Sequence, residues 1–177
     1  MSFFNTSATV SHSSKLPAGS THEAGIKMLQ DHEFFLHCDP HMTEFKLVPL
    51  KDAAPLPDSV KPLDGRSTQA YQVTDMVHTL PAGLWDSNVI STYEFTDIEG
   101  GLFVRIRSPL SIVMDTIWQI KEGDDGGLEL VEDVSINCTR LLVGVVKSQC
   151  ENGWQKIHAK MMSRLEGGSS HTNGAAA

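Results

Sequence analysis

Basic residues are scarce in this 177-residue chain: 14 Lys and Arg stand against 22 Asp and Glu, a formal net charge of −8. Lys and Arg form no run anywhere, which speaks against a nucleic-acid surface or an anionic-membrane surface, since either wants a basic stripe. No apolar run approaches the ~20 residues that a membrane span needs, so stable membrane insertion is not expected. The chain opens Met1-Ser-Phe-Phe-Asn-Thr-Ser7 with neither a basic n-region nor an apolar h-region, so it does not look secreted. The Asn-x-Ser/Thr matches at Asn5 and Asn137 then read as coincidence. Cysteine is limited to Cys38, Cys138 and Cys150, odd in number and unclustered, the pattern of reduced buried thiols in a cytoplasmic protein. Also missing are a Gly-rich phosphate loop, a Cys-x-x-Cys pair, a His-Glu-x-x-His helix and a Gly-x-Ser-x-Gly elbow, so no nucleotide or other cofactor is expected. His32, His37 and His41 flank Cys38 and Asp39, but 32 and 37 do not share a helical face and Pro40 breaks the helix before His41. No metal site is expected there.

What the chain does have is a long proline-free stretch near its end. Leu142, Val146, Cys150, Trp154, Ile157, Met161 and Leu165 recur at the three-and-four spacing of one buried helical stripe. A helix from Leu142 to Leu165 is roughly 36 Å long at ~1.5 Å per residue, enough to cross a small domain. Residues 1–7 read as a flexible N-terminus and 8–166 as one domain. Residues 167–177 read as a low-complexity, disordered tail.

Ala8–Leu16 alternates through Val10, His12, Ser14 and Leu16, as a strand does. Ser20-Thr-His-Glu23 forms a capping-box pattern ahead of a helix pair that Pro40 ends. Thr43–Leu50 reads as a second strand. Residues 51–67, with Pro55, Pro57 and Pro62, form a loop too long to be idle linker, and its length suits a gate over a cavity. Strands follow over 69–80, 88–96, 101–108, 112–121 and 128–138. Matching apolar faces joins Phe95 to Leu102, Ile106 to Met114 and Trp118 to Leu130, which places Thr116 beside Glu132 and Arg105 beside Asp115. The Arg105–Asp115 pair then lies on the outer face as a surface ion pair worth tenths of a kcal/mol to ~1. One inner face results: Ser91, Tyr93, Phe95, Leu102, Val104, Ile106, Met114, Thr116, Trp118, Leu130, Glu132, Val134 and Ile136. The fold class is therefore α+β, a curved antiparallel sheet wrapped around a long C-terminal helix, with a short helix pair after the first strand.

That order of elements resembles the START-like or SRPBCC helix-grip superfamily, over roughly Ala8–Leu165. Pro81-Ala-Gly-Leu-Trp85, Val104-Arg-Ile-Arg-Ser-Pro-Leu110 and Cys138-Thr-Arg-Leu-Leu-Val-Gly-Val-Val146 look like a fungal group of START-like domains with no agreed activity. The resemblance implies a cavity between sheet and helix that takes an apolar small molecule. It spans lipid-transfer domains, hormone receptors, polyketide aromatase/cyclases and enzymes of specialised metabolism.

Glu132 is the most informative position, because it interrupts the apolar face of Leu130, Val134 and Ile136. A carboxylate facing a low-dielectric cavity gains proton affinity and can act as a general acid or base near neutrality. The structural alternatives are a bulge that swings it outward and a pairing with a buried Arg or Lys. His78 falls late in its strand, near the expected cavity mouth, although the Tyr71, Val73 and Val77 face of the same strand is also apolar and leaves its direction open. Tyr93 has apolar companions on both sides and a hydroxyl that needs a partner if buried. Glu132, Tyr93 and His78 are thus the catalytic candidates. The expected cavity lining is Ser91, Phe95, Val104, Met114, Thr116, Trp118, Val134, Cys150, Gly153, Ile157 and Met161. Cys150 lacks the nearby base or helix N-terminus that a nucleophilic thiolate needs. Two functions stand at this point. One is a cofactor-free cyclase or isomerase acting on a polyketide- or terpenoid-like substrate; the other is a carrier of a lipid or sterol. A third reading is a collapsed cavity filled by Trp118, Phe95 and Met161.

Overall fold

The computed structural model describes residues 5–51, 54–78 and 86–169. In chain order these form β1 (Asn5–Lys15), α1 (His22–Leu29), α2 (His32–Cys38), β2 (Met42–Val48), β3 (Gln69–His78), β4 (Asp86–Ile98), β5 (Gly101–Ser108), β6 (Ile112–Glu122), β7 (Leu128–Thr139) and α3 (Val143–Ser169). The seven strands make one antiparallel sheet in the order β1-β7-β6-β5-β4-β3-β2, so the first strand lies beside the last. The α3 helix lies across the sheet against β1 and β7, with α1 and α2 beside it. This is the α+β architecture expected from the pattern of elements.

Alternation places one face of each strand inward. The inward set holds Phe95, Leu102, Val104, Trp118 and Leu130, which join Met28, Leu29 and Leu36 from the short helices and Met161 and Leu165 from α3 in the main core. A second cluster at the other end joins Val134, Ile136 and Cys138 to Val146. On α3, His158 is buried in the same stripe as Met161, while Leu141, just before the helix, is 91% exposed.

Three local expectations shift. The helix runs to Ser169, so Gly167 and its neighbours continue it, and residues 170–177 lie outside the described residues. Thr21, one residue after Ser20, caps α1 by accepting from the Ala24 amide at 3.1 Å. Register is the larger correction. Ile106 does face Met114, and Leu102 faces Trp118. Phe95, however, faces Val104, and Tyr93 faces Ile106, because the β4–β5 turn is confined to Glu99 and Gly100. Likewise Glu132 faces Trp118 and Thr116 faces Val134, because β6 continues to Glu122 before turning. Each slip is an even number of residues, so the inward set survives while the neighbours change.

The segment after β2 does not close over the interior. Leu56 and Val60 pack on Ile98, Phe103 and Ile117 of the sheet's outer face. Pro62 forms a bridge to Ile98, and the Leu63 amide donates to the Asp97 carbonyl at 2.9 Å. Arg105 lies beneath this cover. Its guanidinium reaches both oxygens of Asp115, at 2.7 and 2.9 Å, and donates to the carbonyls of Ala54 and Pro55. At 6% exposure it is no surface residue, so the Arg105–Asp115 pair fastens the segment to the sheet. The expected gate is a patch on the convex side.

Candidate functional site

A cavity of about 100 Å³ lies between the sheet and the helices. Phe35, Leu36, Asp39 and Met42 form one wall, and Val73, Asp75, Tyr93, Val104 and Ile106 the floor. Thr116, Trp118, Glu132 and Ile157 close the far side. The polar groups in this largely apolar lining come from separate elements: Asp39 from the end of α2, Asp75 from β3, Tyr93 from β4, Thr116 from β6 and Glu132 from β7.

Asp75 is the residue that reading the sequence missed. It is 9% exposed, and the Tyr93 hydroxyl donates to its Oδ2 at 3.2 Å. Its Oδ1 is buried and has no hydrogen-bond partner. Burial first, and the nearby Asp39 carboxylate second, push the Asp75 pKa up to about 6. Burial also raises Tyr93 well above the usual phenol range, with Asp75 adding to it, so the tyrosine remains a neutral donor. A carboxyl near pKa 6 exchanges its proton readily at neutral pH, which is the condition for general acid–base work.

Glu132 points inward, with no bulge, at 9% exposure. Its partner is neither Arg nor Lys. His12, directly opposite on β1, places Nδ1 2.9 Å from Glu132 Oε2. His158 on α3 lies behind it, with Nε2 3.8 Å from the same oxygen and Nδ1 2.8 Å from the Ser14 hydroxyl. Trp154 stacks on His12, with ring centroids 4.8 Å apart, and meets His158 edge-on. Two histidines and a serine from the β1–α3 seam thus back the cavity carboxylate. His158 Nε2 itself has no hydrogen-bond partner.

The remaining expected residues distribute as follows. Val104, Thr116, Trp118 and Ile157 line the cavity; the other expected liners do not. Ser91 bonds to Ser108 at 2.8 Å, and Phe95 sits in an aromatic group with His32, Phe35 and Tyr71. Met114 and Val134 belong to the second core cluster, where the Cys150 thiol reaches the Met114 sulfur at 4.0 Å. Burial pushes the Cys150 thiol up to about 11, which removes it as a nucleophile. Met161 is wholly buried in the main core. A Cβ at Gly153 would meet nothing within 4 Å, so no close approach explains that glycine. His78 ends β3, and its side chain lies outside the described residues.

A second, open cleft of about 470 Å³ lies on the surface between α2 and the turn at Arg66. Its central carboxylate, Asp97, is already engaged by His32 at 2.8 Å and by Arg66. His32 also reaches Gln69 at 2.9 Å, while the His37 ring packs on Phe45, so the two do not converge. Among the described residues no group of three or more His, Cys, Asp or Glu is arranged to hold a metal ion. Nor, among the described residues, is any helix long and apolar enough to cross a membrane.

The chain belongs to the family described as Domain of unknown function (DUF7053), whose profile matches residues 5–167. No curated protein matches the sequence. Among solved structures it is similar to the Zhui aromatase/cyclase from Streptomyces sp. R1128, with a TM-score of 0.57 and 12% identity over 96% of this chain and 98% of that one. Ara h 8.0201 matches with a TM-score of 0.56 and 13% identity over 92% of this chain and 99% of its own. TTHA0849 from Thermus thermophilus gives a TM-score of 0.56 and 13% identity over 93% and 99%. At such identities these likenesses carry the fold alone, the helix-grip fold.

Proposed function

We propose that the protein binds a small molecule with an apolar body in the cavity under α3 and catalyses a cofactor-free proton transfer on it. Asp75 is the acid–base group, and isomerisation or ring closure is the reaction class. The observation that carries this is the state of Asp75: buried, held by Tyr93 through one oxygen, unpartnered at the other, and with a pKa near 6. A purely structural carboxylate has its oxygens satisfied, because leaving one buried without a partner costs about 1–3 kcal/mol. Here Asp75 takes a proton from a carbon next to a carbonyl, the C–H electron pair passes into an enolate, and the same proton returns at a second carbon. Tyr93 fixes the carboxyl plane, Thr116 offers a hydroxyl toward the ligand oxygen, and Glu132 sets the charge on the opposite wall. Holding the ligand between those walls supplies the orientation such a step needs.

A cavity of about 100 Å³ is small beside the roughly 300–1,000 Å³ of sites for drug-sized ligands. Phe95, Trp118 and Met161 occupy much of the interior. A compact ligand, or the compact reacting end of a longer polyketide- or terpenoid-like one, fits better than a sterol or an acyl chain.

The test is deuterium incorporation: the protein is incubated in D₂O with a panel of small cyclic ketones, and label at the α-carbon is read by mass spectrometry. Exchange that Asp75→Asn abolishes supports the reading. Binding without exchange overturns catalysis and leaves carriage.

A further inference from the structure

We propose that the ligand of this cavity carries a basic nitrogen, bound as a compact organic ammonium against the unpartnered oxygen of Asp75. The inference rests on the cavity reading above and adds the chemical class of its occupant. Every ionisable side chain lining the cavity is an acid: Asp39, Asp75, Glu132 and the Tyr93 hydroxyl. Among the described residues, no Lys, Arg or His lines it. Such a lining disfavours a ligand that arrives as an anion, whereas a positive charge on the ligand is held by it and offsets an enolate formed beside it.

The two main carboxylates are not equivalent. Glu132 is met from behind by His12 at 2.9 Å, with His158 3.8 Å from the same oxygen, so it has a hydrogen-bond partner without a ligand. Asp75 is met by a neutral hydroxyl alone on one oxygen and by nothing on the other. Of the charged groups around Asp75, Asp39 at the end of α2 works against its ionised form. His41, on the exposed turn that follows, works for it. Cys150 of α3 is neutral at physiological pH, and Glu132 lies across the cavity. An ammonium N–H at Oδ1 would take one lone pair of the vacant acceptor and oppose Asp39, leaving the second lone pair for the α-proton, while its charge offsets that of the enolate. The rest of the lining suits the body of such an ion. Phe35, Tyr93 and Trp118 present aromatic rings, which attract cations through their faces, and Val73, Ile106 and Ile157 present alkyl surface. The volume equals roughly three waters at ~30 Å³ each, so the head group is compact.

The experiment uses the full chain and three probes of similar, small size: ethylammonium, ethanol and acetate. Binding is followed by NMR shifts of Asp75, Tyr93 and Trp118. At pH 7.5 ethylammonium is expected to bind at least about tenfold more tightly than ethanol, with acetate weakest. That preference should fall about tenfold between pH 7.5 and pH 5 as Asp75 takes up a proton, and should vanish in Asp75→Asn. The pH series uses the unaltered protein, so it decides the matter even if the variant folds poorly. Equal binding of ethanol, or a preference untouched by both pH and the substitution, overturns the ammonium inference and leaves the cavity reading standing. If none of the three shifts the cavity residues, both fall.

Discussion

The Tyr93 hydroxyl donates to one oxygen of Asp75 at 3.2 Å, while the other oxygen is buried and has no partner. This asymmetry has a thermodynamic signature. With its native pKa raised to about 6 from a normal value of 3.8, Asp75 holds its proton more tightly folded than unfolded. Stability therefore falls as pH rises from about 4 to about 6 and levels off above, by about 3 kcal/mol in all. Asp75→Asn keeps an acceptor for Tyr93 and removes the titration. It should match the parent at pH 4 and exceed it at pH 8 by about 2–3 kcal/mol, as read by urea unfolding at the two pH values. A variant less stable than the parent at pH 8 would contradict this.

Removing His12 exposes the opposite case. His12→Ala leaves the Glu132 carboxylate buried without its 2.9 Å partner and strips the ring that stacks on Trp154. A loss of about 3 kcal/mol is expected. Combining it with Glu132→Gln should recover part of that loss, since a neutral amide costs less than a carboxylate to leave buried without that partner. A double-mutant cycle measures the coupling, and full additivity would show that the two groups do not interact.

The β5–β6 turn offers a gain. Leu110 and Ser111 both have positive φ, 62° and 59°, a conformation that costs non-glycine residues roughly 1–2 kcal/mol each. Leu110 is 70% exposed and contributes little to the core. Replacing the pair by Asn-Gly should raise stability by about 1–2 kcal/mol, seen as a higher thermal midpoint at pH 7.

Gly101 offers a loss. A Cβ there would sit 2.0 Å from the Trp118 carbonyl oxygen, which is backbone and cannot step aside. Gly101→Ala should cost more than about 2 kcal/mol, whereas Gly153→Ala, with open space and a helical backbone, should gain about 0.5–1 kcal/mol. Chemical denaturation of the two variants side by side separates the sites.

Arg105 fixes the convex cover. Arg105→Lys retains a charge but not a fork that can reach Asp115 while donating to Ala54 and Pro55. Limited proteolysis should then cut within residues 54–68 several times faster than in the parent, with the ligand probes above binding unchanged. Unaltered cleavage would show that the apolar contacts of Leu56 and Val60 hold the segment alone.

The fold was legible because its signals are periodic. Alternation in β4 to β7 and the α3 stripe each specify a face, and a face survives a two-residue slip, as Phe95 and Glu132 both demonstrate. Neighbours do not survive it, which is why Thr116 was expected beside Glu132; His12 was missed for another reason, since nothing in the pattern assigns the first strand a partner. Asp75 carried the same signal as Glu132, an acid interrupting an apolar face, here between Tyr71, Val73 and Val77. That signal went unread because the alternate face, with Met76 and His78, is apolar or aromatic as well. The outer-face cover at Val60 lies beyond any such reading, since packing across a sheet's convex side has no period of its own.

The pairing of β1 with β7 sets an order of events. Asn5 meets Thr139 and Lys15 meets Glu129, so every residue of the opening strand waits for a partner more than a hundred positions away. On the ribosome that strand emerges first and stays unpaired until nearly the whole sheet has left the exit tunnel. Contacts so distant in sequence slow folding, because the entropy of closing the loop is lost before they form. His12 and Ser14 arrive with that strand. The seam behind Glu132 therefore cannot form until β7 and α3 are both available to it.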